Sequence, residues 1–177
     1  MNKQRALLFI PLAIFIVLAL FFWRGLSLNP NDMPSALLNK PIPKFSLPRL
    51  VDPSETRSES IFQGKVSLLN IWGTWCITCR EEHAFLNKLQ ASGIHIVGID
   101  YKDNTLDAQR WIAELGNPYD EILVDEEGGF GLDLGVFGAP ETYVVDKQGI
   151  IRYKHIGDLN QKIWDETIKP IFNSLEK

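Results

Sequence analysis

The chain has 177 residues, of which 45% are hydrophobic and 23% are charged, and its formal net charge is −4 at pH 7. This acidic balance provides no basic face for nucleic acid, so a role in binding DNA or RNA is excluded and proteins are the expected partners. Beyond an apolar N-terminal run, about 150 residues remain, which suit one domain with a sizeable core rather than two.

The N-terminal segment is apolar enough to enter a membrane. Residues 6–23 contain no charged side chain. As a helix of about 1.5 Å per residue, this run reaches roughly 27 Å, close to the hydrocarbon thickness of a bilayer. The alternative is a cleaved signal peptide, whose apolar core is usually shorter and ends at a small-x-small cleavage site. The run ends in Leu20–Arg24 without such a site, so we expect a retained single-pass anchor over residues 6–23.

The charges that flank this run predict its orientation. Lys3, Arg5 and the N-terminal amine precede it, whereas Arg24 follows it. By the positive-inside rule, we expect residues 1–5 in the cytoplasm and the rest of the chain to be exported. In a bacterium this places the chain in the inner membrane with its domain in the periplasm. That compartment is oxidising, so a working dithiol there must be kept reduced by another protein.

A proline-rich stretch separates the anchor from the domain. Residues 24–44 combine Pro30, Pro34, Pro41 and Pro43 with scattered polar residues, a composition typical of an extended tether. We therefore place the folded domain at residues 45–177. It is predicted to begin with an edge strand over Phe45–Leu50 and a polar loop over residues 52–60.

From residue 65 the pattern alternates strands and helices. Residues 66–72 are nearly all apolar, as expected for a central parallel strand covered on both faces. Apolar residues at helical spacing then predict a helix that ends near Gly93. A second predicted helix has Asn104 or Thr105 as its N-cap and Gly116 beyond its end. Further short strands are predicted at residues 94–99 and 122–124.

The C-terminal part predicts a hairpin and a helix. The strands 142–145 and 150–153 are separated by a short turn that contains Asp146 and Gly149. Apolar residues then recur at helical spacing and predict a final amphipathic helix, bent at Pro170. Alternating strands and helices followed by a hairpin and a helix predict an α/β fold, with a mixed sheet between helices.

The most informative feature is a pair of cysteines, Cys76 and Cys79, placed where a strand passes into a helix. Such a dithiol can cycle between disulfide and thiols, because the helix amides stabilise a thiolate on the first sulfur. A structural staple, inert buried thiols and a zinc site are the alternatives. A disulfide that closes so short a loop removes little entropy from the unfolded chain, so it would stabilise the fold only slightly. Zinc needs four ligands, and the candidate histidines are His83, His95 and His155. The residues therefore favour redox activity.

Four segments carry a family resemblance. They are the apolar N-terminal run, Trp72–His83 (WGTWCITCREEH), Gly135–Thr142 (GVFGAPET) and Gly149–Tyr153 (GIIRY). Together they resemble the CcmG/DsbE thiol:disulfide interchange proteins of cytochrome c maturation, in the thioredoxin superfamily. The Trp-Cys-x-x-Cys motif alone indicates only a thioredoxin-like protein, whereas the GVFGAPE segment is much more specific. The likeness extends over essentially the whole chain.

This resemblance implies a thioredoxin-like three-layer fold with an inserted strand-helix unit and an N-terminal extension. It implies a protein-disulfide reductase that keeps the haem-binding cysteines of apocytochrome c, or a maturation partner, reduced. Electrons would come from a membrane reductase of the DsbD or CcdA type. We expect a monomeric soluble domain and no cofactor beyond the Cys76–Cys79 disulfide. The alternatives are an exported TlpA-like reductant with other clients and a non-enzymatic module that binds apocytochrome.

Helix geometry assigns roles to the two sulfurs. Cys76 precedes the helix and faces its positive dipole end, so we expect Cys76 to attack a target disulfide and Cys79 to resolve the mixed disulfide. Glu82 lies three positions after Cys79 on the same helical face, where it can accept the Cys79 proton. The alternative is an ordinary exposed glutamate, and the match to the family's active-site glutamate favours the proton acceptor. Glu81 is expected to face solvent.

The resemblance adds Pro140 and Glu141 to the site, and Trp75 is a further candidate. Pro140 is implied to be a cis-proline that packs against the dithiol and leaves the neighbouring backbone free to pair with an extended substrate. Glu141 is implied to lie near the cysteines and to raise their pKa values by like-charge repulsion. The alternatives are a turn proline and a surface charge. Trp75 is predicted to form part of an apolar rim around the disulfide, with a core tryptophan as the alternative.

One position departs from the family pattern. The family usually has a proline after the first cysteine, where this chain has Ile77. Isoleucine adds a backbone N–H near the Cys76 sulfur and loosens the first helical turn. The family's usual reduction potential is therefore not carried over to this chain.

Overall fold

The structure, a computed structural model, describes residues 10–26 and 36–177. The chain divides into two compact units, Met1–Met33 and Pro34–Lys177. Most of the sequence therefore belongs to the second unit, which contains both cysteines.

In the first unit, helix α1 (Ile10–Leu26) covers the predicted anchor from residue 10 onward and the first residues of the predicted tether. The predicted cytoplasmic residues 1–5 and residues 6–9 of the anchor lie outside the described ranges, as do residues 27–35 of the tether. Within the described ranges, no helix combines the length and the apolarity that crossing a membrane requires.

The second unit begins earlier than the predicted boundary at residue 45. The Asn39 N–H donates to the Ile151 carbonyl at 2.8 Å, and the Ile151 N–H donates to the Lys40 carbonyl at 3.0 Å. Ile42 is buried in the core. The end of the predicted tether is thus part of the folded unit, because the extended backbone that prolines favour suits the edge of a sheet as well as a linker.

The predicted edge strand 45–50 and polar loop 52–60 are only partly regular. Strand β1 (Leu47–Pro48) pairs antiparallel with strand β2 (Thr56–Arg57), and a short 3-10 helix follows at Glu59–Phe62. Both strands are two residues long because proline removes a ladder donor at Pro48.

The main sheet has five strands of mixed direction. They are β3 (Ser67–Trp72), β4 (Ile96–Tyr101), β5 (Glu121–Asp125), β6 (Glu141–Val145) and β7 (Ile151–Ile156). The spatial order is β5-β4-β3-β6-β7, in which β3, β4 and β5 are parallel and β6 is antiparallel to both β3 and β7. This confirms the predicted mixed sheet, its central strand and the C-terminal hairpin.

Helices flank this sheet. They are α2 (Ile77–Ala91), α3 (Thr105–Leu115), α4 (Gly129–Leu134), α5 (Gln161–Ile163) and α6 (Lys169–Glu176), with a π-helical segment at Trp164–Ile168 between the last two. Asn104 is the N-cap of α3, and its side chain accepts the N–H groups of Leu106 and Asp107. Strand β5 extends the sheet beyond β4, and helix α3 connects these two strands, as expected for the inserted strand-helix unit.

Core side chains divide between the two faces of the sheet. Leu68 and Trp72 of β3 pack with both cysteines and with side chains of α2, α3 and α6. Leu69 and Ile71 point the other way and pack with Phe130 of α4. The sheet therefore lies between two helical layers, which confirms the three-layer fold. We call the side that carries Leu68, Trp72 and the cysteines the dithiol face.

The sequence did not predict helix α4. Its glycines indicate a turn, but Gly131 is required by packing, since a Cβ there would lie 2.3 Å from the Tyr101 ring. The Asp125 carboxylate accepts the N–H groups of Phe130 and Gly131 at 3.2 and 2.8 Å and so holds the start of the helix. A tertiary contact therefore overrides the local preference.

The C-terminal helix departs from regular geometry close to the predicted bend. Pro170 has no N–H to donate to the carbonyl one turn earlier. Just before it, the Lys169 N–H bonds to the carbonyl of Trp164, five residues back, which widens the turn into a π segment. The interruption thus lies at residues 164–168, on the N-terminal side of the proline.

Candidate active site

The two cysteines lie at the start of α2 and form a disulfide, with their Cα atoms 5.3 Å apart. Cys76 is the N-cap residue of this helix, and its sulfur accepts the N–H of Cys79 at 3.0 Å. The donor is thus Cys79 rather than Ile77, whose added N–H was the expected candidate. A helix N–H aimed at sulfur stabilises negative charge there, so Cys76 is the better thiolate of the pair.

The turn before Cys76 is fastened to the loop that follows β4. The Thr74 hydroxyl donates to one Asp103 oxygen at 2.8 Å, and the Thr74 N–H donates to the other. The Trp75 indole N–H donates to the Tyr101 carbonyl at 3.1 Å. Gly73 permits this arrangement, since a Cβ there would lie 2.5 Å from the indole nitrogen. These bonds hold the junction between β3 and α2 in place.

Glu82 is buried, with only 2% of its surface exposed, so the alternative of an exposed helical glutamate is wrong. One carboxylate oxygen accepts the side-chain N–H of Asn70 at 3.0 Å, and the other accepts the N–H of Leu159 at 2.7 Å. Burial raises the pKa of Glu82 to about 7, although both hydrogen bonds act to lower it. A carboxyl group with this pKa exchanges protons readily at neutral pH. Glu81, as predicted, is exposed.

A buried polar group beneath α2 was not predicted from the sequence. Asn70 also donates to the Thr142 hydroxyl at 3.1 Å and accepts the Tyr119 hydroxyl at 2.9 Å. Burial raises the pKa of Tyr119 well above its usual value, so its hydroxyl keeps its proton. Asn70 sits inside the nearly apolar run 66–72, and an amide side chain in the middle of a central strand was the available signal.

Asp100 is a second buried carboxyl group on the dithiol face. It is fully buried, pairs with Trp72 in the strand register, and has no donor within hydrogen-bond distance among the described residues. Burial raises the pKa of Asp100 to about 8, and the negative charge of Asp103 acts in the same direction. Nothing in the local sequence singles out Asp100, because it directly follows the predicted strand 94–99, where an exposed loop residue is expected.

The structure confirms the cis peptide bond at Ala139–Pro140. It places Glu141 differently from expectation, however. Glu141 pairs with Ile71 in the register, and its neighbour Tyr143 packs with Ile71 on the face opposite the dithiol. Its carboxylate binds the Phe137 N–H, the Tyr143 hydroxyl and the Lys154 ammonium, at 2.9, 2.6 and 3.0 Å. Glu141 is thus a buried, ion-paired residue and not a surface charge, and Lys154 offsets its charge.

Large apolar side chains are exposed around the cysteine motif and the proline loop. Trp75 is 51% exposed, which excludes the alternative of a core tryptophan. Ile77, directly after Cys76, is 80% exposed, and Phe137, three residues before Pro140, is 69% exposed. Exposed apolar side chains next to a reactive group are typical of a surface that binds another protein.

The zinc alternative does not fit the contacts. His83 accepts the Trp111 indole N–H at 3.1 Å, and its other ring nitrogen bonds to the Gly116 carbonyl at 3.0 Å. Burial lowers the pKa of His83, so the ring is neutral and fully occupied by these bonds. The described part of the chain contains no cluster of three His, Cys, Asp or Glu side chains suited to a metal ion.

Comparison with known proteins agrees with a redox site. The Redoxin family model matches residues 37–170. The thiol:disulfide interchange protein DsbE of Pseudomonas aeruginosa is 49% identical over 172 residues, which cover 97% of this chain and 96% of the relative. DsbE of Pasteurella multocida is 50% identical over 180 residues, covering 99% of this chain and 98% of the relative.

The chain belongs to the DsbE family. It is therefore a thiol:disulfide oxidoreductase whose redox-active disulfide is Cys76–Cys79, and the staple, inert-thiol and non-enzymatic alternatives are excluded. A secreted thiol-disulfide isomerase from Corynebacterium glutamicum has the same fold, with a TM-score of 0.64 and 23% identity, over 82% of this chain and 96% of that one. The resemblance to the CcmG/DsbE family that the sequence motifs indicated is thus confirmed.

Proposed function

We propose that this DsbE-family chain is a membrane-anchored periplasmic reductant in cytochrome c maturation. It keeps the haem-binding cysteines of apocytochrome c, or those of a maturation partner, in the thiol form. The observation that carries this proposal is the disulfide at the start of α2, where a helix N–H contacts the Cys76 sulfur. Similarity to DsbE proteins over nearly the whole chain supports the choice of process.

The reaction begins with the reduced enzyme. The Cys76 thiolate attacks one sulfur of the client disulfide, forms a mixed disulfide and releases the other client sulfur as a thiolate. The N–H of Cys79 is already directed at the Cys76 sulfur and stabilises its charge before attack. This first step needs no proton acceptor, because Cys76 reacts in its charged form.

The second step requires Cys79 to lose its proton. Glu82 lies one helical turn further along α2, is buried like Cys79, and in its ionised form accepts that proton. The Cys79 thiolate then attacks the Cys76 sulfur and releases the second client thiolate. The client gains two electrons, the enzyme ends as the Cys76–Cys79 disulfide, and a membrane reductase of the DsbD or CcdA type restores the dithiol.

Client binding uses the surface around the sulfurs. Pro140 leaves its neighbouring backbone free to pair with an extended client segment. The exposed side chains of Trp75, Ile77 and Phe137 provide apolar contacts for such a segment. These groups contact the client as it reacts, while the domain itself acts as a monomer.

The N-terminal segment is proposed to hold the domain at the membrane. The charge-free run 6–23 and the lysine and arginine before it favour a single-pass anchor with residues 1–5 in the cytoplasm. Anchoring keeps the domain in the compartment where its reductase and its clients meet.

Trapping the mixed disulfide tests the proposed function. A full-length Cys79→Ala variant cannot resolve the intermediate, so it is expected to accumulate client disulfides through Cys76 in cells that make cytochrome c. The captured proteins are identified by mass spectrometry after non-reducing electrophoresis. Cys76→Ala is the matched control and is expected to capture none of them.

Two results would contradict the proposal. If the trapped proteins lack apocytochromes and their maturation partners, the chain is a reductant with other clients, as in the TlpA-like alternative. If Cys79→Ala traps no more than Cys76→Ala, Cys76 is not the attacking residue.

A further inference from the structure

The loop that carries Pro140 is tied to a buried ion pair. We call residues 135–140 the cis-proline loop. The Lys154 ammonium donates to the Gly135 carbonyl at 2.8 Å, at one end of this loop. The Phe137 N–H donates to a Glu141 carboxylate oxygen at 2.9 Å, near the middle of the loop. Two charged side chains therefore hold the loop at two separate backbone points.

The two charges also bind each other. The Lys154 ammonium lies 3.0 Å from the second Glu141 oxygen, which also accepts the Tyr143 hydroxyl at 2.6 Å. The Lys154 side chain is only 3% exposed, and that of Glu141 is fully buried. Burying two charges is costly and is offset only by good geometry and additional hydrogen bonds, and both are present here. Such a pair favours one arrangement of the loop over others.

The same lysine supports an exposed aromatic side chain. Its ammonium lies 4.6 Å from the centroid of the Phe137 ring, a cation–π contact. The other side of that ring faces solvent, since Phe137 is 69% exposed. Phe137 is three residues from Pro140, so it lies within about 11 Å of the backbone that pairs with the client. An aromatic ring that contacts an ammonium group on one face and is exposed on the other is suited to contact a client side chain.

We propose that Lys154 is a positioning residue for client binding, and that with Glu141 it orders the cis-proline loop so that Phe137 receives an apolar client side chain. The preferred substrate is then an extended segment whose disulfide is flanked by an apolar residue. This inference rests on the proposed reaction with protein clients and assigns Glu141 to the loop rather than to the thiols. The chemical step itself is unchanged.

Two disulfide peptides of equal length test this inference with the reduced full-length protein in detergent. One carries phenylalanine two residues from the disulfide, and the other carries glycine at that position. The wild-type protein is expected to show a KM about tenfold lower for the phenylalanine peptide. Lys154→Met is expected to remove most of this difference, because a displaced loop no longer presents Phe137.

Control variants separate positioning from loss of structure. Phe137→Ser is expected to remove the same preference, whereas Leu132→Ser changes an exposed apolar residue outside the loop and is expected to retain it. Lys154→Arg is expected to restore the preference. If Lys154→Met is poorly folded, the double variant Glu141→Gln/Lys154→Met removes both buried charges together and is used in its place.

Several outcomes are decisive. If the wild-type protein reduces neither peptide, the proposed function fails and the present inference fails with it. If it reduces both peptides with equal KM, the proposed function stands and the role of Phe137 and Lys154 is wrong. If Lys154→Met slows both peptides and oxidised glutathione by one common factor, the ion pair acts on the thiols rather than on the loop.

Discussion

At the scale of single residues, Glu82 shows how burial changes the acidity of a common side chain. An exposed glutamate is almost fully ionised at neutral pH and is a weak proton acceptor. Within the dithiol face, burial raises the pKa of Glu82 to about 7, while Asn70 and Leu159 hold both oxygens in place. Its pKa therefore matches the pH at which it is proposed to work.

Replacing Glu82 with glutamine is expected to slow resolution of the mixed disulfide by about 10²-fold, the usual contribution of a positioned proton acceptor. Glu82 accepts a proton only when ionised, so the wild-type resolution rate should rise as pH increases through about 7. In the Glu82→Gln variant the midpoint near pH 7 should be absent. Stopped-flow measurement of client thiol release across pH 5.5–8.5 checks both expectations.

Glu81 offers a matched control, since it is the exposed neighbour of Glu82 on the same helix. Glu81→Gln is expected to resolve the intermediate within about twofold of the wild-type rate. Equal rates for the two variants at every pH would show that Cys79 loses its proton to another group.

The site could be predicted only in part from the sequence. The roles proposed for Cys76 and Cys79 follow from their spacing and from their place at the start of a helix, which are local properties. Asn70 meets Glu82 only because α2 packs over β3, and Asp100 lies on the same face of the sheet only through the strand register; single residues reveal neither. The partners of Glu141 were missed for the same reason, because Lys154 reaches it from the adjacent strand β7.

At the scale of elements, the junction between β3 and α2 decides where the sulfurs lie. Its turn is bound to the last residue of β4 through Trp75 and to the loop after β4 through Thr74. Strand β4 is the parallel neighbour of β3, so the carboxyl ends of both strands meet at the same edge of the sheet. The topology thus brings Asp103 to a turn that is distant in sequence.

Removing the Thr74 hydroxyl should weaken this junction. Its hydrogen bond to the Asp103 carboxylate is charge-assisted and half-buried, so Thr74→Ala is expected to lower the free energy of unfolding by about 1–2 kcal/mol. Urea denaturation of the oxidised protein measures this difference. Thr105→Ala, at the start of α3, is the control and is expected to remain within about 0.5 kcal/mol of wild type.

Elements with a strong period were predicted well, and those that depend on distant contacts were not. Strands β3 to β7 and helices α2 and α3 follow from apolar spacing and caps. Helix α4 requires the Asp125 side chain, and residues 39–42 require an edge strand from the far end of the chain. Neither partner is visible from the local sequence.

At the scale of the whole molecule, two buried carboxyl groups link stability to pH. The pKa values of Glu82 and Asp100 are raised from 4.5 to about 7 and from 3.8 to about 8. The folded state therefore holds protons that the unfolded state releases above about pH 4. Their contribution to stability is fully present below about pH 4 and is lost as pH rises towards 8.

The free energy of unfolding of the oxidised protein is accordingly expected to fall by a few kcal/mol between pH 5 and pH 8. The oxidised form is used because its cysteines do not titrate. Asp100→Asn removes one of the two groups, so its stability should depend less steeply on pH and should exceed that of wild type at pH 8. Urea denaturation at intervals of pH provides the comparison.

Asp133→Asn is the control, since Asp133 is an exposed residue of α4. This variant should retain the wild-type slope. If Asp100→Asn also retains that slope, Asp100 is ionised in the folded protein and its charge is compensated in another way.

Residues 39–50 cover the outer edges of the main sheet. An unpaired outer strand is a template on which another chain can add, and here residues 39–42 bond to β7 while Arg49 and Leu50 bond to β5. A version of the domain that began at residue 45 would leave the outer edge of β7 unpaired. Shortened forms of the domain should therefore begin before residue 39, because fragments that lack residues 39–42 would be prone to aggregate when concentrated.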